Sequence, residues 1–233
     1  METFHPLHQQ LIWHKGLSVT MRPADWEQLI QSLAGHDAQV RRRRWAPPAR
    51  AKGVLVPLLR VFGADMSPDG MLGVTADLRG PDVQGKLSQQ QKYPGRDRRV
   101  RSVTEWWSHD PWLRMRAELR DGGVVELSVT DRVRYRKIHK VNPRGKHKWK
   151  TKTKTVHRVT VSRKLPKDAV PRRPPTRPPG WIAVKVRGGP RTLIRTSAKI
   201  VATGDERALP DQILHVMTEL FRWTPPGATR RTR

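Results

Sequence analysis

Hydrophobic residues recur at helical spacing near both ends of the chain. The first stripe follows the i, i+3, i+4, i+7 rule of one helix face and consists of Trp26, Leu29, Ile30 and Leu33. Pro23 suits the first turn of such a helix and Gly35 suits its end. A second stripe near the C-terminus consists of Ile213, Val216, Met217, Leu220 and Phe221. The two stripes predict helices over 23–34 and 210–222, each packed on a core through its apolar side.

In the middle of the chain the period of apolar residues changes from helical to two. Apolar and polar residues alternate along 112–120, 124–136 and 149–161, and the connections at 121–122 and 142–145 are rich in turn-forming residues. A period of two places one set of side chains in a core and the other in water. This pattern predicts three consecutive antiparallel strands, the last two forming a long hairpin over 132–164.

Shorter apolar runs predict the remaining strands. The run over 54–61 predicts a strand, which Pro57 restricts to an edge position or a bulge because proline cannot donate to a neighbouring strand. Its expected partner is 71–78. Two further runs, 182–187 and 192–202, predict another hairpin.

These elements predict an α+β fold. We expect an antiparallel sheet built from hairpins, with a few packed helices and one long protruding basic β-hairpin. The expected organisation is an N-terminal helical segment with a basic linker (1–52), an antiparallel-sheet domain (53–222) and a flexible basic tail (223–233). The sheet domain contains the basic hairpin (132–164), a proline-rich spacer (165–180) and the C-terminal helix (210–222).

Hydropathy indicates neither export nor a membrane span. The first twenty residues lack the apolar run of a secretory signal. The longest apolar stretch elsewhere is interrupted by Pro57 and Arg60 and is far shorter than the ~20 residues that cross a bilayer as a helix. We therefore expect a cytoplasmic protein.

Charge changes this picture most strongly. The 233 residues include 47 Lys and Arg against 20 Asp and Glu, a formal net charge of +27. Residues 132–178 alone contain 18 basic residues and 1 acidic residue. Such clustering indicates a localised element that binds a polyanion.

The basic hairpin carries most of the candidate binding residues. If its two rows of cations share a face, opposed Cβ atoms lie about 4.5–5.5 Å apart and the like charges repel. A nucleic-acid backbone would supply the missing negative charge, and aromatic rings could stack on bases. The candidate residues in this hairpin are Arg132, Arg134, Arg136, Lys137, Lys140, Arg144, Lys146, Lys148, Trp149, Lys150, Lys152, Lys154 and Arg158. The register of the hairpin and the choice between RNA and DNA stay open.

Two other basic clusters are candidate secondary contacts. One precedes Trp45 and consists of Arg41, Arg42, Arg43 and Arg44. The other lies in a polar loop and consists of Arg96, Arg98, Arg99 and Arg101. The first cluster could clamp phosphates and could equally be a solvated run of charge, whereas the polar loop that carries the second could fold over a ligand.

The residues that carry chemistry are scarce. Cysteine is absent, which excludes disulfides, cysteine nucleophiles and zinc or iron-sulfur sites built on thiolates. No phosphate-binding loop, nucleophile elbow or dinucleotide fingerprint occurs. We expect no metal at His5 and His8, no cofactor and no enzymatic activity. The remaining acid/base candidates, near His109, are Glu105, Asp110 and Glu118, which would suit a phosphodiester-processing enzyme.

The sequence thus predicts a non-enzymatic protein that binds RNA or DNA through the phosphate backbone, with a nucleoprotein assembly as one setting. The alternative is a structural subunit of a phage or secretion particle whose basic hairpin inserts into an acidic surface of a partner. Arginine exceeds lysine by 32 to 15, which is typical of GC-rich genomes and fits a bacterial or phage source.

Overall fold

The computed structural model describes residues 4–40, 45–95, 97, 99–167, 169–203 and 206–224. Its α-helices are α1 (Pro6–His14), α2 (Pro23–Ala34), α3 (His36–Gln39), α4 (Val56–Asp65) and α5 (Leu209–Phe221). Its strands are β1 (Gly16–Met21), β2 (Leu72–Asp77), β3 (Gln91–Pro94), β4 (Val100–Glu118), β5 (Val124–Val141), β6 (His147–Lys164), β7 (Ile182–Arg187) and β8 (Leu193–Val201). The predicted α+β class is confirmed.

The strands form one antiparallel sheet in the order β1-β2-β4-β5-β6-β8-β7, and β3 pairs with the outer part of β4. The central meander β4–β5–β6 has strands of 19, 18 and 18 residues, each about 60 Å long. The neighbouring strands β2 and β8 cover only its inner half. The outer half, which we call the arm, comprises residues 100–109, 132–141 and 147–155 together with β3.

One face of the sheet carries the core, and the described helices pack on that face. The alternate residues Val125, Leu127 and Val129 of β5 are fully buried, and they share a hydrophobic cluster with residues of α2, α4 and α5. The alternation that predicted these strands therefore reflects two layers, with helices on one side of the sheet and solvent on the other.

Hydrogen bonds from buried side chains hold the helical layer to the sheet. The indole Nε1 of Trp26 in α2 donates to the carbonyl of Leu72 in β2 at 3.1 Å. The hydroxyl of Thr196 in β8 donates to the carbonyl of Val216 in α5, also at 3.1 Å. Because these polar groups are buried, each bond both satisfies the donor and fixes the position of a helix. The helices predicted over 23–34 and 210–222 are confirmed as α2 and α5.

The strand predicted over 54–61 is wrong, because this segment is helical. A π-helical turn, Ala51–Leu55, runs directly into α4. The buried side chains at i, i+3, i+4 and i+7 are Leu55, Leu58, Leu59 and Phe62, so the run has a helical period. Pro57 lies in the first turn of α4, directly after the π-helical turn, and its fixed φ is compatible with a helix.

The strand predicted over 71–78 is confirmed as β2, but its partner is β1 rather than the 54–61 segment. Strand β1 belongs to the predicted N-terminal segment (1–52), and its Leu17 joins the same hydrophobic core as β2. The boundary predicted at residue 52 lies within the turn Ala51–Leu55. No helix of the described residues is long and apolar enough to cross a bilayer.

The proline-rich spacer returns along the C-terminal helix. The backbone N–H of Arg172 donates to the carbonyl of Trp223 at 2.9 Å, and the guanidinium of Arg222 donates to the carbonyl of Thr176 at 3.1 Å. Of the predicted tail, residues 223 and 224 are described, and the remainder lies outside the described residues.

Candidate nucleic-acid interface

The sheet face opposite the helices is exposed and predominantly basic; we call it the open face. It carries the side chains that alternate with the core residues of each strand, and apart from the buried Ile138 those of β4 to β8 are exposed or only partly buried. In β4 to β8 its acidic members are Glu105, Glu118 and Glu126. Its basic members are Arg114, Arg116, Arg132, Arg134, Arg136, Lys140, Lys148, Lys150, Lys152, Lys154, Arg158, Lys164, Lys185, Arg187, Arg195 and Lys199.

The register of β5 and β6 opposes like charges across the arm. The directly paired residues include Arg134 with Lys154, Arg136 with Lys152, and Lys140 with Lys148. Directly opposed residues of an antiparallel pair share a face, with Cβ atoms about 4.5–5.5 Å apart, and like charges at that distance destabilise the pair. The arm therefore contains built-in repulsion.

The same arrangement continues into the body of the sheet. Arg158 of β6 is paired with Lys199 of β8, and Arg195 of β8 is paired with Lys185 of β7. The opposed cations thus extend over four adjacent strands on a single face. A surface of this kind attracts a polyanion along its whole length.

Few carboxylates neutralise these cations. The Nε of Arg136 lies 3.1 Å from Glu105, and Arg116 lies 2.7 Å from Glu126. Among the described residues, no carboxylate lies within 4.0 Å of Lys150, Lys152 or Lys154. The uncompensated charge is concentrated on β6, which forms one edge of the arm.

An aromatic ring lies beneath part of the arginine row. The guanidinium groups of Arg132 and Arg134 are 5.2 Å and 5.7 Å from the ring centroid of Trp107, which is 38% exposed. Such contacts attract the two guanidinium groups to the exposed ring and restrict their freedom of movement.

The opposite face of the arm carries aromatic rings instead of a cation row. Trp106 stacks on Tyr135, and Trp149 stacks on His139 with centroids 4.1 Å apart. The ammonium of Lys137 lies 5.0 Å from the Trp149 ring. Lys137 and Trp149, which the sequence placed among the binding residues, therefore lie on the face opposite the main cation row.

The structure brings most of the predicted hairpin residues together. Those on the open face are Arg132, Arg134, Arg136, Lys140, Lys148, Lys150, Lys152, Lys154 and Arg158. Arg144 and Lys146 occupy the turn at the tip. Arg99 lies beside that end of the arm, because its carbonyl accepts from the N–H of Val141 at 2.9 Å, and Arg101 lies at the start of β4. The predicted contacts at Arg41, Arg42, Arg43, Arg44, Arg96 and Arg98 lie outside the described residues.

Sequence reasoning missed the basic residues of β7 and β8. Lys185, Arg187, Arg195 and Lys199 line a hollow of about 590 Å³ on the open face, together with Arg158 and Trp181. A second hollow of about 390 Å³ continues it toward β5 and shares Arg195 with it. The sequence shows that these cations alternate with apolar residues. It does not show the strand order β6-β8-β7, which places them beside the basic hairpin.

The candidate acid/base residues do not form a common site. Glu105 and Glu118 lie on the open face, 13 residues and about 43 Å apart along β4. Asp110 lies on the other side of the strand and is fully buried. Among the described residues, no group of three or more acidic and histidine side chains could hold a metal ion.

Asp110 belongs instead to a buried polar cluster between the sheet body and the arm. It lies directly opposite Asp131, and its Oδ1 is 2.6 Å from the ammonium of Lys86. Asp131 is 1% exposed and accepts from Arg50 at 2.8 Å, His157 Nδ1 at 2.7 Å and Trp112 Nε1 at 3.1 Å. The cluster joins a helical turn to three strands at the base of the arm.

The two carboxyl groups of this cluster respond differently to burial. Burial raises the pKa of Asp110, and Lys86 only partly offsets this. Burial acts in the same direction on Asp131, but hydrogen bonds and charges from His157 and Arg50 outweigh it and lower the pKa of Asp131. One buried carboxyl is thus held as a stable anion, while ionisation of the other opposes folding.

We expect Asp110→Asn to become progressively more favourable to stability as pH rises. The pKa of Asp110 is higher in the folded protein than its unfolded value of about 3.9, so the fold favours the protonated carboxyl group. The stability that this preference contributes is present below the unfolded pKa and is lost as pH rises through the folded pKa. Urea titrations between pH 4 and 8 should show the difference in unfolding free energy, variant minus wild type, increasing with pH. The exposed Asp69→Asn serves as control, and an equal pH trend in both variants would contradict the assignment.

No protein-family model matches the chain, and comparisons with curated proteins and with solved structures find no match to it. We therefore infer the function from the geometry and charge of the open face.

Proposed function

We propose that this protein binds RNA or DNA non-enzymatically, with the open face and arm held against the phosphate backbone. The observation that carries the proposal is the set of like-charged pairs opposed across β5, β6, β7 and β8 on one face. Each opposed pair costs stability in the free protein, of the order of 0.2–1 kcal/mol. A bound phosphate backbone converts that repulsion into affinity through contact with the cations and release of counterions.

Protection of an exposed strand edge explains only part of this charge. Lysines on an edge strand discourage aggregation, and the outer half of β6 has no partner beyond β5 among the described strands. Strand β5, however, has a neighbour on both sides and still carries Arg132, Arg134 and Arg136. Strand β8 likewise lies between β6 and β7 and carries Arg195 and Lys199. These interior strands support binding rather than edge protection.

The length of the cation row suggests a site size. From Lys150 to Lys164 the row on β6 spans 14 residues, or about 46 Å. Successive phosphates of one strand are about 3.4 Å apart along a duplex, so a backbone following β6 would present roughly 13 phosphates.

The proposal is tested with the triple variant Lys150→Gln, Lys152→Gln and Lys154→Gln. We expect weaker binding of a fluorescein-labelled oligonucleotide of about 15 nucleotides, and a salt dependence whose slope is smaller by about two to three. Fluorescence anisotropy at several salt concentrations between 50 and 200 mM, with RNA and DNA of one sequence, gives both quantities.

The matched control removes the same charge away from the open face through Arg22→Gln, Arg60→Gln and Arg173→Gln. Arg22 and Arg60 belong to the helical layer, and Arg173 belongs to the spacer that runs along α5. Equal weakening in both triple variants would show that net charge alone drives binding, which contradicts a defined interface. Absence of binding to any nucleic acid at 50 mM salt would reject the proposal.

An acidic protein surface could be held by the same cations, as in a phage or secretion particle. The absorbance ratio at 260 and 280 nm of natively purified protein separates the two partners. Nucleic acid that copurifies and is removed by nuclease supports the proposed function, whereas a stable complex free of nucleic acid supports the alternative.

A further inference from the structure

The hollow over β6, β8 and β7 lies on the open face beyond the arm. Its volume is about 590 Å³, and its cationic lining consists of Arg158, Lys185, Arg187, Arg195 and Lys199. The cation row of β6 runs directly into it, because Arg158 is four residues from Lys154 on the same face. A backbone bound along the arm would therefore continue into this hollow.

Within the hollow the cations are too close together to suit two separate backbones. Arg158 is paired with Lys199 and Arg195 with Lys185, so these cationic side chains leave backbones that are about 5 Å apart. The whole lining spans three strands, or about 10 Å across. The two backbones that border a B-DNA major groove are separated by about 12 Å, so this lining suits one phosphate backbone better.

Trp181 gives this hollow a surface for a base. It immediately precedes β7, lines the hollow and is 43% exposed. The ring of His215 in α5 meets it edge-on, with centroids 5.5 Å apart and an interplanar angle of 70°. Because α5 packs on the other face and β7 is an edge strand, this contact places the indole at the edge of the hollow. The contact restricts rotation of the ring, so less freedom is lost when a base stacks on it.

We propose that the hollow binds a single-stranded segment of nucleic acid, with its phosphates on the five cations and one unpaired base stacked on Trp181. Stacking on a protein ring requires a base face that is free, which a base inside a continuous duplex does not offer. The inference rests on the proposed function and adds the class of nucleic acid. The arm supplies affinity for any backbone, and the hollow supplies the preference for unpaired strands.

The experiment compares Trp181→Ala with wild type on a labelled 15-nucleotide single strand and on the same strand in a duplex. One base stacked on an aromatic side chain accounts for roughly five- to 150-fold in affinity. We expect a loss in this range for the single strand, a change below about twofold for the duplex, and near-wild-type binding by Trp181→Phe. Val170→Ala is the control, because Val170 is an apolar side chain that is 73% exposed and lies in the proline-rich spacer that runs along α5.

The outcomes separate this inference from the proposed function. If Trp181→Ala binds the single strand as tightly as wild type does, the inference is overturned and the proposed function stays intact. Equal losses on single strand and duplex also overturn it, since the ring would then act through the fold rather than through a base. A Trp181→Phe variant as weak as Trp181→Ala overturns stacking as well. No binding by wild type to either ligand rejects the proposed function itself.

Discussion

Asp131→Asn is expected to lower the free energy of unfolding by about 3–5 kcal/mol, which is the largest change in stability that we predict for a substitution in this protein. The carboxylate is 1% exposed and is the shared acceptor for Arg50, His157 and Trp112. Asparagine keeps the volume but removes the negative charge, so the charge-assisted contacts of this carboxylate with the guanidinium at 2.8 Å and with the buried His157 are lost. Urea titration of wild type and variant at pH 7 measures the difference.

The pH dependence of this difference has a defined sign. The pKa of Asp131 is lowered in the folded protein, so its stabilising contribution is present above the unfolded value of about 3.9 and is lost as pH falls through the folded pKa. The gap between wild type and Asp131→Asn should therefore narrow in acid. Asp69→Asn, an exposed loop change, should cost less than about 0.5 kcal/mol. A loss in Asp131→Asn as small as in this control would show that the cluster contributes little.

The sequence was sufficient to predict the central meander because its strands have a strict period of two. Residues 125, 127 and 129 are buried as the alternation required, and the polar residues between them form the open face. The same rule is weaker where nearly every position of a run is apolar. The 54–61 segment fits both a buried strand and a helix, and Pro57 is compatible with a strand edge or a first helical turn. Burial of Leu58 and Phe62 on one side of α4 is what distinguishes them.

The buried cluster at the base of the arm could not be predicted from the sequence. Arg50 and Asp131 are 81 residues apart, and His157 and Asp131 are 26 apart. Their meeting depends on the register of β5 and β6 and on the position of a helical turn against the sheet. The sequence left that register open, and a shift by one residue would turn Asp131 to the opposite face.

The candidate binding site was only partly visible for a related reason. The cations of the hairpin are close together along the chain, so their density is apparent from the order of residues alone. Lys185 and Arg195 belong to a separate hairpin, and Trp181 follows the proline-rich spacer. Only the order β6-β8-β7 places them beside Arg158. Local charge thus predicted the arm, while the hollow emerged from long-range strand pairing.

The largest expected effect on binding comes from the double change Lys152→Glu and Lys154→Glu. These lysines are paired with Arg136 and Arg134, so each substitution replaces a repulsive cross-strand pair with an attractive one. We expect the free energy of unfolding to rise by about 0.5–2 kcal/mol in total. Affinity for nucleic acid should fall at least about a hundredfold, because two charge-assisted contacts are lost, each worth about 1.5 kcal/mol or more, and two anions then face the phosphates.

Opposite signs for stability and binding are what distinguish a ligand-binding row from a structural one. If the cations served the fold, their reversal would weaken folding, and any loss of binding would follow from it. If they serve a ligand, the free protein tolerates repulsion that the ligand relieves, and removing the repulsion stabilises the protein as it abolishes binding. The matched control, Thr151→Glu and Thr153→Glu, adds two anions on the opposite face of β6. A double lysine variant that is destabilised, or that binds no more weakly than this control, would contradict a binding role for the row.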